Sequence, residues 1–444
     1  MLVKKTVVAL VSIYALVVSA ATPKTFAEKY PLGIEALSLV WTIQSEFHSL
    51  RDNHPLNPEN RLLQFNTRKH STAIDLEWNP NLTEYLALRS RGAMVMTIQE
   101  DVDCNFDFFY LEGYLQWQNE NRTLGIDMGK VKVEWGSGYA WNPTDVIIPL
   151  KRDVSNDIEE DEGIEMIKSE FVLGSLTSTV IIARLDRDEV MIDNPYQLAF
   201  KGSFEVDPWE VSAVYHQASQ QGWTSGLSFT GLLTDAIEFH GEWSQSSHRD
   251  RKIAQKQADG IQTESFNLPA RYEYIDDPHE EKYEKILVGG QYTFAKEMNI
   301  IMELYSNTHG YNDKEWAVIK EGIREALRED SWDNPDAPYT TSLGNPYSGF
   351  LKNTLSQVAD GELRQQYLFL RYTSGESDNL WEWEQVIKLN LNDGSQIHQL
   401  ILHKTWSEII QTNLEITLFR GDVYSEFALM PYTESYTLNL EVPF

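Results

Sequence analysis

Apolar and polar residues alternate along most of this chain. Leu198, Phe200, Gly202, Phe204 and Val206 take every second position. Asp207-Pro208 interrupts them, and Trp209, Val211, Ala213 and Tyr215 alternate back. A period of two sends one set of side chains to each face of a β-strand. The same rhythm of two runs joined by a tight polar turn recurs. Thr72–Trp78 turns through Asn79-Pro80-Asn81 into Leu82–Met94, and Phe109–Trp117 turns through 118–122 into Leu124, Ile126 and Met128. Glu165–Leu173 pairs with Thr177–Leu185, and Leu227–Leu233 with Ile237–Trp243. Ile286–Phe294 pairs with Met298–Leu304, and Arg364–Tyr372, Trp381–Leu391, His398–Trp406 and Asn413–Phe419 follow. Ile34–Phe47 reads equally as a strand or a short helix. After Met128 the apolar phase moves to Val131, Val133 and Trp135, which predicts a β-bulge at Gly129.

The short turns alternate with longer irregular stretches at 95–108, 134–164, 246–282 and 307–362. In the last of these, Trp316, Ile319, Ile323 and Leu327 recur at helical spacing within Asp313–Asp330, which predicts one amphipathic helix. Prolines, which cannot sit in central strands, fall almost entirely in turns and long stretches.

The two ends place these strands. The last nine residues alternate Tyr436, Leu438, Leu440, Val442 and Phe444 against Thr437, Asn439 and Glu441, with Pro443 weakening pairing at the tip. This segment resembles the terminal strand of Gram-negative outer-membrane β-barrels, where such a Phe-ending strand is the assembly signal. At the other end, Lys4-Lys5, an apolar run from Val7 to Val18 and Ser19-Ala20-Ala21 read as a cleaved secretory signal peptide. After it, no run approaches the roughly 18 apolar residues of a spanning helix. The mean hydropathy of −0.40 is what a barrel with a polar interior gives as readily as a soluble chain. Cys104 is the single cysteine, so internal disulfides are excluded.

The expected fold is therefore all-β, a transmembrane antiparallel up-and-down β-barrel. It would have about 16–18 strands, short periplasmic turns and long extracellular loops. Residues 1–21 form the signal peptide, 22–59 an N-terminal segment that includes a candidate first strand, and 60–444 the barrel. Trp78, Trp117, Trp209, Phe294 and Trp406 all stand beside short turns, as an aromatic girdle at the periplasmic interface requires. A soluble β-sandwich or propeller has no reason to stack its tryptophans at one end of its hairpins. A barrel of this size encloses an aqueous lumen, and location in the cell outer membrane follows.

One stretch stands apart: Gly129-Lys-Val-Lys-Val-Glu-Trp-Gly136-Ser-Gly138-Tyr-Ala-Trp-Asn142-Pro143-Thr-Asp145, running on to Pro149 and Lys151-Arg152-Asp153. With Asn57-Pro58-Glu59-Asn60-Arg61-Leu62-Leu63 upstream, it resembles uncharacterised porin-like outer-membrane families. In those a Trp-Gly turn leads into an Asn-Pro-x-Asp and Pro-rich loop ending in Arg-Asp. The resemblance covers roughly 57–185 and the terminal strand. It implies a barrel with a structured loop and no established substrate. The loop is either an inward constriction carrying Lys151, Arg152 and Asp153, since charged rings set ion selectivity, or a rigid extracellular loop.

If the apolar set faces lipid, the charged set faces the lumen, because a charge at the bilayer midplane costs about 2–4 kcal/mol. That set includes Arg89, Arg91, Lys130, Lys132, Glu134, Lys201, His216, His240, Glu242, Glu303, Glu384 and Glu415. Such residues either meet a solute or pair across the lumen to hold the wall.

Net charge and missing motifs narrow the function. The formal charge of −30 becomes −32 once Lys4 and Lys5 leave, which argues against nucleic acid as a partner. Acidic outer loops would meet lipopolysaccharide through divalent cations. The acidic run Asp157–Glu162 lacks the spacing of a calcium loop, so no metal site is expected. His240 and Ser244 share one strand face, but no Gly-x-Ser-x-Gly, His-Glu-x-x-His or phosphate-loop motif stands in the chain, so no enzyme and no cofactor is expected. The expected activity is a porin-like channel for passive or selective diffusion of small polar solutes. The alternatives are an export barrel for an acidic exopolysaccharide, favoured by a basic stripe beginning at Arg89, Arg91, Lys130 and Lys132, and a structural or adhesive barrel plugged by 307–362. The expected partners are outer-membrane lipid, lipopolysaccharide, the barrel-assembly machinery and a small polar solute, with a homo-oligomer left open.

Overall fold

Eighteen antiparallel strands close on themselves in the computed structural model of the chain. It describes residues 36–60, 62–99, 102–147, 162–184, 196–218, 222–256, 262–263, 266–267, 272–277, 282–294, 298–328, 348–359, 361–375, 381–407 and 410–444. The wall begins with β1 (Leu37–Leu50), β2 (Arg68–Trp78), β3 (Leu86–Gln99), β4 (Val102–Gln118), β5 (Leu124–Val131) and β6 (Ile164–Leu173). It continues through β7 (Leu176–Arg184), β8 (Tyr196–Val206), β9 (Trp209–Ala218), β10 (Gly222–Thr234) and β11 (Ile237–Ser246). Between β11 and the next wall strand lie four short strands, β12 (Ile253–Lys256), β13 (Gln262–Thr263), β14 (Phe266–Asn267) and β15 (Tyr272–Ile275). The wall resumes with β16 (Tyr283–Thr293), β17 (Asn299–Asn307), β18 (Gln366–Thr373), β19 (Trp381–Asn390), β20 (Gln396–Ser407), β21 (Ile410–Arg420) and β22 (Tyr432–Pro443).

Each wall strand pairs with its sequence neighbours, and β1 pairs with β22 to close the ring. Closure leaves no unpaired edge, which a sheet in lipid requires. The alternation sets the two faces. Leu198, Phe200 and Phe204 stand exposed on the outer face of β8, while Ala199 and Ser203 between them are buried toward the interior. On β22, Tyr436, Leu438, Leu440 and Val442 take the outward parity, and Thr437, Asn439 and Glu441 the inward one. Pro443 still faces Val40, and the Phe444 N–H donates to the Leu39 carbonyl at 2.8 Å, so the strand stays zipped to β1 through its last residue.

Trp78, Trp117, Trp209, Phe294 and Trp406 all lie at the short-turn end. Trp78, Trp117 and Trp406 are open to the outside. The long connections gather at the opposite end.

Three expectations change. Residues 95–108 are wall rather than loop: β3 runs to Gln99 and β4 starts at Val102. Phe106, Phe108 and Tyr110 take every second outward position there, an alternation broken in the sequence by Phe109 and Leu111. The bulge lies not at Gly129 but on β4, in its pairing with β3. β4–β5 pairing runs unbroken from Gln118↔Gly125 to Gly113↔Lys130, and the register slips on β4 at Leu111, between Arg91↔Glu112 and Gly92↔Tyr110. The apolar phase change after Met128 therefore has another cause, given below. Finally, Ile34–Phe47 resolves as a strand over its described part, β1.

Two helices, α1 (Asp313–Arg328) and α2 (Ser348–Ala359), lie in the connection between β17 and β18. α1 opens on a reciprocal cap. The Asn312 side chain accepts from the N–H of Lys314 and Glu315, and Glu315 accepts from the Asn312 N–H at 2.9 Å. Trp316, Ile319 and Ile323 are buried as their spacing predicts, but Leu327, one turn on, is exposed. They pack with Leu56, Tyr272, Tyr311, Phe350, Leu351 and Leu429 into one apolar core built from four different long connections. That core caps the mouth of the barrel.

Candidate functional site: a lumen filled from one side

The connection after β5 turns inward. Its described part, 132–147, enters the barrel instead of standing over it, and this is why Val131 and Trp135 are apolar: they face an interior packing partner. Val131, Trp135, Val146 and Ile147 bury against Met166, Ile181, Ala183, Ala199 and Val214 of the inner wall. Gly136 lies at φ +119, and a side chain there would meet Asn142. A side chain at Gly138 would meet the Trp141 carbonyl and Leu287. The two glycines are thus required by close approach.

Two wall carboxylates hold the loop. Glu242 of β11, 3 % exposed, accepts from the N–H of Ser137, from Gly138 at 3.0 Å, and from the N–H and hydroxyl of Thr144, each at 2.8 Å. Glu303 of β17, fully enclosed, accepts from the N–H of Tyr139 at 2.6 Å and Ala140 at 2.9 Å, and its other contact is His240 Nε2 at 2.8 Å. A buried carboxylate is tolerated when hydrogen bonds replace its water, and here the donors are backbone groups that a buried loop must itself satisfy. Asn142 adds an internal brace, accepting from the Gly138 N–H at 2.9 Å. Trp141 then stacks on Tyr305, ring centroids 4.8 Å apart, beside Tyr367 and Phe369. The loop so fills the side of the lumen bounded by β5–β11 and β16–β18.

The opposite flank, β18–β22 with β1–β3, keeps space. A cavity of about 670 Å³ lies beneath the cap, lined among others by Gln44, Glu46, His48, Lys69, Asn439 and α2. A second, of about 320 Å³, lies toward the short-turn end and is lined by Arg371, Glu382, Glu384 and His403. The motif Asn57-Pro-Glu-Asn60 shapes the upper cavity. Glu59 and Asn60 adopt positive φ, and the Asn57 and Asn60 side chains bond the backbone of Leu62, Leu63 and Phe65. Leu63, Gln64, Phe65 and Asn66 are thereby presented to the cavity.

The cap above is fixed by two buried arginines. Arg249 donates to the carbonyls of His309 and Gly310 and to Asp277 and Glu315. Arg364 donates to the Tyr311 carbonyl at 3.0 Å and lies over the Trp316 ring. Glu426 is wholly buried and accepts from the Leu363 N–H, Tyr367 hydroxyl and Asn390 amide; burial pushes its carboxyl up to about 7.

Ser246, His309 and Asp250 form a serine–histidine–carboxylate line, with 3.2 Å on each side of the imidazole. Its polarity is wrong for nucleophile activation. The Ser246 hydroxyl donates to the His248 carbonyl at 2.8 Å, and the Asp250 N–H as well as its carboxylate lie beside His309 Nδ1. The hydroxyl proton is thereby turned to the carbonyl and away from the imidazole that would have to take it. Nor does His240 reach Ser244: its Nε2 contacts Glu303, and its Nδ1 is buried without a hydrogen-bond partner.

The basic residues singled out in the sequence do not form a stripe among the described residues. Arg91 faces the lumen but is held bidentately by Asp75, and Arg89 donates to the carbonyls of Asn79 and Leu88. Lys130 shares the outward parity of the exposed Met128, because β5 carries no bulge, and it reaches Glu162 and the Tyr110 carbonyl at the rim. Lys132 pairs with the exposed Glu134 just past the end of β5. Lys151, Arg152 and Asp153 lie outside the described residues.

Neither a protein-family model nor a curated protein matches the sequence. Solved structures do match in shape. OccAB1 of Acinetobacter baumannii aligns at TM-score 0.51 and 9 % identity over 93 % of this chain and 97 % of its own. OccAB4 of the same organism aligns at 0.51 and 6 % over 92 % of this chain and 98 % of its own. This chain has the fold of an outer-membrane β-barrel. Wzi, described as a carbohydrate-binding barrel in Escherichia coli capsule assembly, aligns at 0.47 and 10 % over 91 % of this chain and 84 % of its own. At such identities the likeness is one of fold, and the barrel's outward apolar surface agrees with it.

Proposed function

We propose that this barrel is a porin-like channel that passes small polar solutes along one flank of its lumen. The observation that carries the reading is the distribution of space. Among the described residues, the cavity beside the inserted loop, lined by Val131, Asp145 and Ile147, has only about 10 Å³, whereas polar cavities of about 670 and 320 Å³ lie on the other flank, one under the cap and one toward the short turns. Selectivity would come from the charged side chains of that flank acting in a narrow, partly dehydrated path.

The cap supports a gated form of this reading. Its apolar core is continuous from Leu56 to Leu429, so passage through the mouth requires displacing or skirting α1 and α2. The basic stripe that an acidic polymer would need is absent among the described residues, and this weighs against the export reading.

Single-channel recording of refolded protein in planar bilayers tests the proposal. The expected result is a small steady conductance that rises when 308–363 is replaced by a short polar linker. Correctly folded protein that conducts neither intact nor without that segment would overturn it in favour of a structural barrel.

A further inference from the structure

The upper cavity has a composition of its own. Charges cancel there: Glu46 and Glu415 are matched by Lys69 and Lys352, with Lys69 paired to Glu46 at 3.3 Å. What remains is rich in carboxamides, namely Gln44, Gln64, Asn66, Gln99 and Asn439, with ring surface from Phe65 and Tyr432. Behind the lining, Asn439 Oδ1 and His48 Nδ1 are buried without a hydrogen-bond partner. The carboxamides of Gln44 and Gln64 likewise meet no protein partner among the described residues. The Gln44 and Gln64 carboxamides face the cavity, and a ligand with matching donors and acceptors can take the place of water on them.

A carboxamide both donates and accepts, as does a hydroxyl. A wall of carboxamides with balanced charge therefore matches a neutral ligand with many hydroxyls better than a carboxylate or an amine. Aromatic ring surface suits the C–H faces of such a ligand. The volume, about 670 Å³, lies within the range of small-molecule sites, about 300–1,000 Å³.

From this we infer that the cavity between α2 and the β1–β2–β22 wall is a binding site for a neutral oligosaccharide of two or three rings. The inference rests on reading this flank as the solute path, and it adds the solute's class. Asn439 and Gln44, opposite each other across β22 and β1, form its floor; Gln64, presented by the Asn57–Asn60 turn, closes it from above.

Isothermal titration of the detergent-solubilised full chain tests this without requiring conduction. The probes are maltotriose, the anionic trimer of galacturonate and the cationic trimer of glucosamine. Expected is saturable millimolar binding of maltotriose that exceeds both charged trimers and weakens about tenfold in the Gln44→Ala/Asn439→Ala double variant. Gln64→Ala, on a loop outside the wall, should weaken it about threefold and serves if the double variant fails to fold, as judged by heat-modifiable gel migration. Tighter binding of either charged trimer, no binding of maltotriose, or equal binding by folded variants would overturn the inference. A folded chain that binds maltotriose but does not conduct would refute the channel reading alone.

Discussion

Glu303 is fully enclosed and Glu242 nearly so, yet both are carboxylates. Each survives because it collects backbone N–H groups that the inserted loop could not otherwise satisfy inside the barrel. Removing either leaves several buried donors without acceptors, a loss of about 3–5 kcal/mol at the loop. The Glu303→Ala variant should therefore release Tyr139–Trp141 from the wall, and Glu242→Ala should release Ser137–Thr144. The expected readouts are new protease cleavage within 136–147 and a larger conductance; a variant with unchanged cleavage would show the loop is held by Trp141 packing alone. At this scale parity was legible: the alternation places Glu242 and Glu303 inward without a structure. Their partners were not, because the bonds join residues about a hundred or more positions apart, such as Ser137 to Glu242 and Tyr139 to Glu303. Parity also misplaced Lys130, since an apolar phase change can mean a bulge or an interior partner, and only the register distinguishes them.

Elements divide in the same way. Strands announced themselves by period two and α1 by its period of 3.6. Residues 95–108 were misread because Phe109 and Leu111 interrupt the alternation, one by facing in and the other by bulging. α2 was missed, its apolar face being weaker and its packing supplied by α1 and the turn at Leu56. The cap these elements form carries a pH dependence. Burial lowers His54 and His309 to about 4, so both are neutral when folded. Their contribution is complete above about pH 6.5 and is lost as pH falls toward 4, by about 3 kcal/mol each. Glu426 acts in the opposite sense: raised to about 7, it favours the cap when protonated and loses that contribution as pH rises from about 4.5 to 7. Two histidines outweigh one glutamate, so the cap should loosen between pH 6.5 and 4. Channel opening measured across that range should increase, and the increase should flatten in a His54→Gln/His309→Gln variant; a flat profile in the unmodified chain would remove the effect.

For the molecule as a whole, closure and charge make separate demands. Closure depends on β22, which alone joins β21 to β1, and its last hydrogen bond comes from Phe444. We expect deletion of Phe444 to lower the amount of folded barrel in the outer membrane several-fold, read from heat-modifiable migration; unchanged levels would mean that pairing up to Pro443 suffices for assembly. Charge decides what passes once the ring is shut. On the open flank the bases are largely neutralised: Arg91 by Asp75, Arg371 by Glu384 and Lys69 by Glu46. Lys352 offsets Glu415 in the upper cavity, while Glu77, Glu382 and Glu441 share the inward parity of that flank and have no basic partner among these pairs, with Arg89 the principal base left over. A path with an excess of fixed acid concentrates cations and repels anions, the more so where low-dielectric walls focus the field. In a potassium chloride gradient the reversal potential should therefore take the sign of potassium permeation. Its size should fall as salt rises and the Debye length shrinks from about 10 Å at 0.1 M to about 3 Å at 1 M. Replacing Glu77, Glu382 and Glu441 by glutamine should bring it close to zero without altering the outward apolar surface. Anion selectivity in the unmodified chain would mean that the current follows another route, and would direct attention to the inserted loop.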